Sequence, residues 1–177
     1  MSPRKRRNTV RIVGAILEGA NGRGAETEST HFGGLNVQPC NSCGACEKTG
    51  ESIIKNYMHR VYNALENADV IVFASPIFFD HITAQAKTFI DRLYSFYWMK
   101  TLDTGKKAVI TINYEWNKPE VYDGVAEWIS KRLSSYHGIE TISTFKVPDI
   151  GERPVKGMPE VLSEARSIGE NIASPHN

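Results

Sequence analysis

Three cysteines fall within seven residues, at Cys40, Cys43 and Cys46. Two successive C-x-x-C spacings allow the thiolates to reach one iron–sulfur cube, which normally takes four of them. No cysteine follows Cys46. Three readings therefore stay open: a cluster with a non-cysteine or external fourth ligand, a zinc or thiol–disulfide site, or a loop that holds nothing. A second candidate is the stretch 75–84, Ser-Pro-Ile-Phe-Phe-Asp-His-Ile-Thr-Ala, directly after an apolar run. Phe78 and Phe79 there either pack beneath a loop or flank a planar aromatic ligand, and His81 can hydrogen-bond one. A third is the stretch 2–9, Ser-Pro-Arg-Lys-Arg-Arg-Asn-Thr. Hydroxyls, an amide and cations ahead of a helix suit a phosphate, because the free N–H groups and the dipole of a helix N-terminus favour an anion. The alternative is a disordered basic tail or a nucleic-acid arm. Thr111, Asn113 and Tyr114 end a further apolar run and are weaker candidates. His31, His59 and His137 have no evident partners, and the chain carries no nucleophile elbow, Walker A lysine motif or metalloprotease signature.

The elements around these loops read as alternating strands and helices. Residues 69–75 are apolar and rich in β-branched side chains, as in a strand buried on both faces, and residues 106–113 read the same way. Residues 139–145 alternate apolar and polar, which suits an edge strand, and residues 24–30 are a further edge candidate. Asn56 can cap a helix with Met58, Val61, Tyr62 and Leu65 on one face. Ile82, Ala86, Phe89, Ile90 and Leu93 make a second face, and Thr83 can cap that helix. Val125, Trp128, Ile129 and Leu133 make a third, stopped at Gly138. Pro159 opens a last helix with Val161, Ala165, Ile168 and Ile172 in one stripe. Such alternation predicts a doubly wound parallel sheet with helices on both faces, and a binding site at the carboxyl ends of the strands.

Length and composition agree. The 177 residues make one domain, 1–177, with 41% hydrophobic and 23% charged residues, ordinary for a soluble globular protein. A net charge of +1 sets up no whole-molecule field for nucleic acid or an anionic membrane. No apolar run is long enough to span a bilayer and no signal peptide is visible. A tight, odd cysteine cluster suits a reducing compartment, so the cytoplasm is expected.

Three stretches carry a family likeness: Ser2 to Thr9, Cys40 to Gly50 with its Cys-Glu-Lys-Thr-Gly continuation, and Ala68 to Leu93 with Ser-Pro-Ile-Phe-Phe and Thr-Ala-Gln-x-Lys-x-Phe-Ile-Asp-Arg-Leu. Together they resemble the flavodoxin-like NAD(P)H-dependent FMN reductase family, and within it the iron–sulfur flavoprotein branch. The resemblance covers residues 1 to 95 well and the remainder only in pattern. It implies that Ser2, Arg4, Asn8 and Thr9 hold the FMN phosphate. It implies that Pro76, Ile77, Phe78, Phe79 and Asp80 border the isoalloxazine ring, with Thr111 and Asn113 at the same edge. The flavin then carries the chemistry and no protein acid or base is required.

Two departures from the family pattern stand out. Where the branch places its fourth cysteine this chain has Ser52, a poor iron ligand, so Cys40, Cys43 and Cys46 are left as a doubtful cluster site. The family also has a central strand just before the phosphate loop, and this chain begins at the loop. The first strand is thus expected to be missing, through a truncated or misassigned start, unless residues 9–17 fill the slot or a neighbouring chain supplies it. The Asn-Thr cap and the Val10, Val13, Leu17 spacing favour a helix for that segment, from about 8 to 19.

The activity implied is FMN-dependent transfer of electrons from NAD(P)H to a small acceptor such as a quinone or flavin. The alternatives are an electron carrier between protein partners and a flavin-free scaffold or sensor built on the thiols. The resemblance further implies a homodimer or homotetramer, in which the aromatic run 94–98 forms an interface or else packs at a helix end. No nucleic-acid or membrane partner is expected.

Overall fold

The structure is a computed structural model and describes all residues except 4–6, 100–101, 103–104 and 175–177. In chain order its elements are α1 (Asn8–Gly22), α2 (Ala45–Thr49), α3 (Met58–Asn67), β1 (Val70–Phe78), β2 (His81–Ile82), α4 (Ala84–Arg92), α5 (Tyr94–Met99), β3 (Lys107–Asn113), α6 (Asp123–His137), β4 (Glu140–Val147), a 3-10 turn (Val155–Gly157) and α7 (Pro159–Ala173). The apolar runs of β1 and β3 pair in parallel, from Val70 against Lys107 to Pro76 against Asn113. β4 continues the parallel sheet, with an irregularity between Ala108 and Val109. The strand order is β2-β1-β3-β4, and only the short β2 runs antiparallel.

Each face of this sheet is covered, as parallel strands require. On one side Met58, Leu65, Phe73, Phe89, Ile110 and Leu133 belong to a core built with α3, α4, α5 and α6. On the other, Ile12 and Ile16 of α1 and Ala165 of α7 pack with Phe145 and Val147 of β4. The predicted Thr83 cap forms, its Oγ1 accepting from the Ala86 N–H at 3.2 Å. Asn56 stands one residue ahead of the N-cap Tyr57, and its Oδ1 accepts from the Met58 N–H at 3.0 Å. Gly138 ends α6 at φ 64°, a left-handed conformation that glycine adopts without strain.

Two expectations are corrected in detail, and one alternative is closed. The strand read over 69–75 does not stop there; it continues through Pro76 to Phe78. The ladder to β3 stops at Pro76, and beyond it β1 pairs with β2 instead, so the missing proline N–H breaks nothing on that side. Residues 24–30 form no strand, since no described strand lies alongside to complete a ladder. Residues 9–17 are helical, within α1, so they do not fill a strand slot. Among the described residues no strand precedes α1. The edge of β1 turned away from β3 carries only β2 at its far end, and the Met1 amino group donates to Ala74 O beside it.

α1 and α7 approach backbone to backbone. A Cβ on Gly169 would stand 1.9 Å from Ile16 O, and one on Gly19 2.0 Å from Arg166 O. Gly169→Ala is therefore expected to destabilise the fold by about 2 kcal/mol through overpacking. Gly14→Ala, where a Cβ meets nothing within 4 Å, should be neutral or stabilising. Thermal unfolding of both variants checks this, and equal melting temperatures would show that the two helices are not in contact.

His137 closes α6 in a buried position, and burial lowers its pKa from 6.5 to about 4. The folded state holds it neutral, so between those values the unfolded chain binds more protons. The stability present above pH 6.5 is lost as pH falls towards about 4. Denaturant midpoints measured across this range should fall less steeply for His137→Phe than for the parent, whereas parallel curves would refute the assignment.

Candidate functional site

At the carboxyl ends of β1 and β3 three segments distant in sequence are tied together. Thr9, buried in the first turn of α1, donates its hydroxyl to Asn113 Oδ1 at 2.6 Å, and Asn113 is buried at the end of β3. Asn8 Oδ1 accepts from the Val155 N–H at 3.1 Å, which draws the 3-10 turn to the same place. Met1 O accepts from the Thr83 hydroxyl at 2.8 Å, so the chain's first residues lie against the loop that follows β1. Burial brings the pKa of the Met1 amino group down to about 5. Ser2 is buried here as well. Gly33 lets the 32–34 turn close over the loop, since a Cβ would meet Pro3 O at 2.6 Å. Among the described residues no side chain caps the N-terminus of α1. Its first-turn N–H groups are thus suited to an anion. Arg4, with Lys5 and Arg6, lies outside the described residues.

Beside this point β1 turns back into β2 through Phe79 and Asp80, at φ 51° and 61°. Consecutive left-handed residues between paired Phe78 and His81 make a type I′ hairpin turn, whose usual occupants are Asn and Gly. A phenylalanine held there is strained. Phe79 is also fully exposed and Phe78 is 44% exposed, so neither ring is consumed by the core. Ser75 Oγ accepts from the Thr83 N–H at 3.2 Å, and Tyr122 donates its hydroxyl to Asp80 Oδ1 at 2.7 Å, so both sides of the turn are braced. Burial and the neighbouring carboxylate both push the Tyr122 phenol pKa up. Pro76 is buried and Ile77 half-buried beneath the turn. Thr111 sits deeper, paired with Ala74, and its buried Oγ1 has no hydrogen-bond partner among the described residues. His81 packs its ring against Trp128 at 5.1 Å.

Cys40 and Cys43 are exposed, and Cys46 opens onto a cavity of about 30 Å³ lined also by Cys40, Cys43, Glu47, Ser52 and Tyr94. Burial pushes the Cys46 thiol up. Among the described residues no three His, Cys, Asp or Glu side chains converge closely enough to hold a metal ion as they stand. The donor set is three thiols with one hydroxyl in place of a fourth, so it does not match a four-thiolate cluster. Next to the loop a groove of about 480 Å³ runs between α5 and α6, bordered by Tyr94, Tyr97, Arg132, Tyr136 and His137.

The structure brings Ser2, Asn8, Thr9, Asn113 and the 76–80 stretch to one end of the sheet. Ser75 lies within the candidate stretch 75–84, whereas Tyr122, Val155 and Arg92 fall outside the candidate residues. Of these three, Arg92 carries a signal, since it falls three residues after Phe89 on the buried stripe of α4.

Comparison with known proteins gives consistent results. A family profile described as NADPH-dependent FMN reductase matches residues 2–114. An iron-sulfur flavoprotein of Archaeoglobus fulgidus is 30% identical over 172 residues, covering 97% of this chain and 76% of that protein. An iron-sulfur flavoprotein of Methanosarcina thermophila is 38% identical over 91 residues, 51% of this chain and 48% of that one. Among solved structures, the NAD(P)H:quinone oxidoreductase from Methanothermobacter marburgensis superposes with a TM-score of 0.78 at 17% identity, over 99% of this chain and 94% of that chain.

The strain at Phe79 is measurable without any ligand. Asn tolerates the left-handed region, so Phe79→Asn is expected to stabilise the fold by about 1 kcal/mol. A drop in melting temperature would show instead that the exposed ring contributes to the fold.

Proposed function

This chain belongs to the NADPH-dependent FMN reductase family, and on that footing we propose that it is an FMN-dependent oxidoreductase that takes electrons from NAD(P)H and passes them to a small acceptor such as a quinone or a flavin. The supporting observation is the juxtaposition of the uncapped N-terminus of α1 with the exposed Phe78–Asp80 turn at the carboxyl ends of β1 and β3. An anion-binding helix start beside a solvent-facing aromatic edge fits a flavin mononucleotide, with its phosphate at one end and its planar ring at the other.

Ser2, Arg4, Asn8 and Thr9 hold the phosphate in this reading. The side chains of Asn8 and Thr9 are already engaged by the Val155 N–H and by Asn113, so their share comes through main-chain N–H groups. Pro76, Ile77, Phe78, Phe79 and Asp80 border the ring, and Asn113 anchors the first turn of α1 from below. Bound FMN supplies the hydride and electron chemistry. Tyr122 fixes the Asp80 carboxylate, Thr83 and Ser75 fix the far side of the turn, and the Phe79 ring shields one face of a planar ligand from water.

The exposed rings of Tyr94, Tyr97, Trp98 and Tyr136 support a homodimer or homotetramer. No described helix is long and apolar enough to cross a membrane, and we place the protein in the cytoplasm with no nucleic-acid partner. The cysteine loop favours a second reading, an electron carrier between protein partners, in which flavin binds but NAD(P)H is not oxidised at an enzymatic rate.

Added FMN should bind stoichiometrically, with its fluorescence quenched, and the complex should oxidise NADH or NADPH in the presence of a quinone. Phe79→Asn should weaken FMN binding about fivefold, the loss of roughly 1 kcal/mol of aromatic contact. Flavin binding without NAD(P)H oxidation would select the carrier, and failure to bind FMN would refute both readings.

A further inference from the structure

Trp128, Arg132 and Tyr136 recur at intervals of four residues, so they form one stripe along α6, and His137 follows Leu133 on the adjacent row. These residues and Tyr94 and Tyr97 of α5 border the groove of about 480 Å³. The Tyr97 and Tyr136 rings meet edge to face with centroids 5.7 Å apart, which joins the two helices. Ile90 and Leu93 add an apolar wall. Tyr94, Tyr97 and Tyr136 are exposed, so their rings are not used up by the core. Small-molecule sites commonly measure about 300–1000 Å³, with mostly apolar and aromatic walls and a few placed polar groups. The groove has that size and that make-up.

Its charges select the kind of molecule it suits. Lys87 and Asp91 border the groove as a pair, with Lys87 Nζ donating to Asp91 Oδ1 at 2.5 Å, so they cancel. His137 is buried, and burial favours its neutral imidazole. Arg132 makes no ion pair among the described residues. Its guanidinium lies over the Tyr136 ring, 5.1 Å from the centroid, and its Nη1 reaches the Tyr136 hydroxyl at 3.5 Å. Its buried Nε and the buried His137 Nδ1 have no hydrogen-bond partner among the described residues. Unpartnered buried polar atoms are rare in folded proteins. The groove therefore holds one uncompensated positive charge among four aromatic rings. Such rings also suit a cation, but Arg132 repels one. A phosphate dianion would leave a negative charge unmatched. A carboxylate carries a single charge and offers two oxygens to the guanidinium fork.

We propose that this groove binds a small planar aromatic monocarboxylate, with its rings against Tyr97, Trp128 and Tyr136 and its carboxylate on Arg132. The aromatic walls supply contact area with little preference for charge, and Arg132 supplies the preference. His137 adds to the same helix a neutral imidazole with one N–H to donate. None of Ser2, Asn8, Thr9 or the 76–80 stretch lines the groove, so the site is separate from the positions assigned to FMN and does not depend on flavin binding. Tyr94, Tyr97 and Tyr136 also belong to the surface proposed for self-association, which makes a second copy of the chain the competing occupant.

The test titrates the full chain, with and without added FMN, with 2-naphthoate and with its uncharged isostere 2-naphthamide, by calorimetry. The acid should saturate one site per chain with a Kd below about 1 mM. The amide should bind about tenfold more weakly, because it leaves the guanidinium without a counter-charge. Arg132→Gln should erase that preference, and Arg132→Lys should keep part of it, since lysine retains the charge but loses the fork. Tyr97→Leu should weaken both compounds alike, about fivefold. Added FMN should leave the binding of the acid unchanged. The proposal fails if the acid does not bind, the result expected where a second copy fills the groove. It fails if acid and amide bind equally, or if folded Arg132→Gln keeps the preference. It also fails if FMN displaces the acid, which would put the acid at the flavin edge. The comparison of acid with amide uses the parent chain alone, so it stands even where a variant does not fold.

Discussion

Seven residue pairs join β1 to β3 in parallel, and a parallel ladder of this kind tolerates water on neither face. That requirement organises the molecule. It calls for α3, α4, α5 and α6 on one side and α1 with α7 on the other, and each helix brings an apolar stripe to meet it. Because every crossover in such a sheet returns the chain to the same end, the carboxyl ends of β1 and β3 collect the loops that follow them. The hydrogen bond from Thr9 to Asn113 then ties the start of α1 to that end. A functional edge arises there because the ladder stops at Pro76 and Asn113 while the chain goes on into a hairpin turn.

Two regions of the molecule handle polar groups differently. At the carboxyl end buried hydroxyls and amides bond one another, as Thr9 does Asn113 and Thr83 does Ser75, so the framework beneath the turn is rigid and uncharged. The left-handed backbone at Phe79 and Asp80 projects a ring into solvent. Near the cysteine loop a full charge is buried instead, on Arg92, and all its described partners are neutral. Hydrogen bonds satisfy its donors but leave its charge uncompensated.

Much of this was legible in the residue pattern. The continuous apolar runs of β1 and β3, the Thr83 cap, the Gly138 stop and the stripes of α3 and α6 all depend on local rules of period and capping, and all appear as read. The readings that needed correction were those in which a neighbour decides. Residues 24–30 have strand composition but no partner ladder, and Pro76 stays within a strand because it pairs with Asn113 of β3 and the chain runs on to pair with β2. The turn of Phe79 and Asp80 was invisible, since neither residue is a usual occupant of left-handed positions.

The sequence by itself determined the alternation of strands and helices, the end of the sheet at which a ligand would bind, the three motif stretches and the spacing of the three thiols. These follow from side-chain type and interval along the chain. The tertiary structure alone decided that Asn8 and Thr9 turn their side chains inward to Val155 and Asn113, that Tyr122 holds Asp80, and that Arg92 reaches back across the chain to grip both flanks of the cysteine loop. Those contacts join residues between 38 and 147 positions apart. Which donor meets which acceptor over such separations depends on how the packed helices sit on the sheet, a geometry that no local pattern encodes.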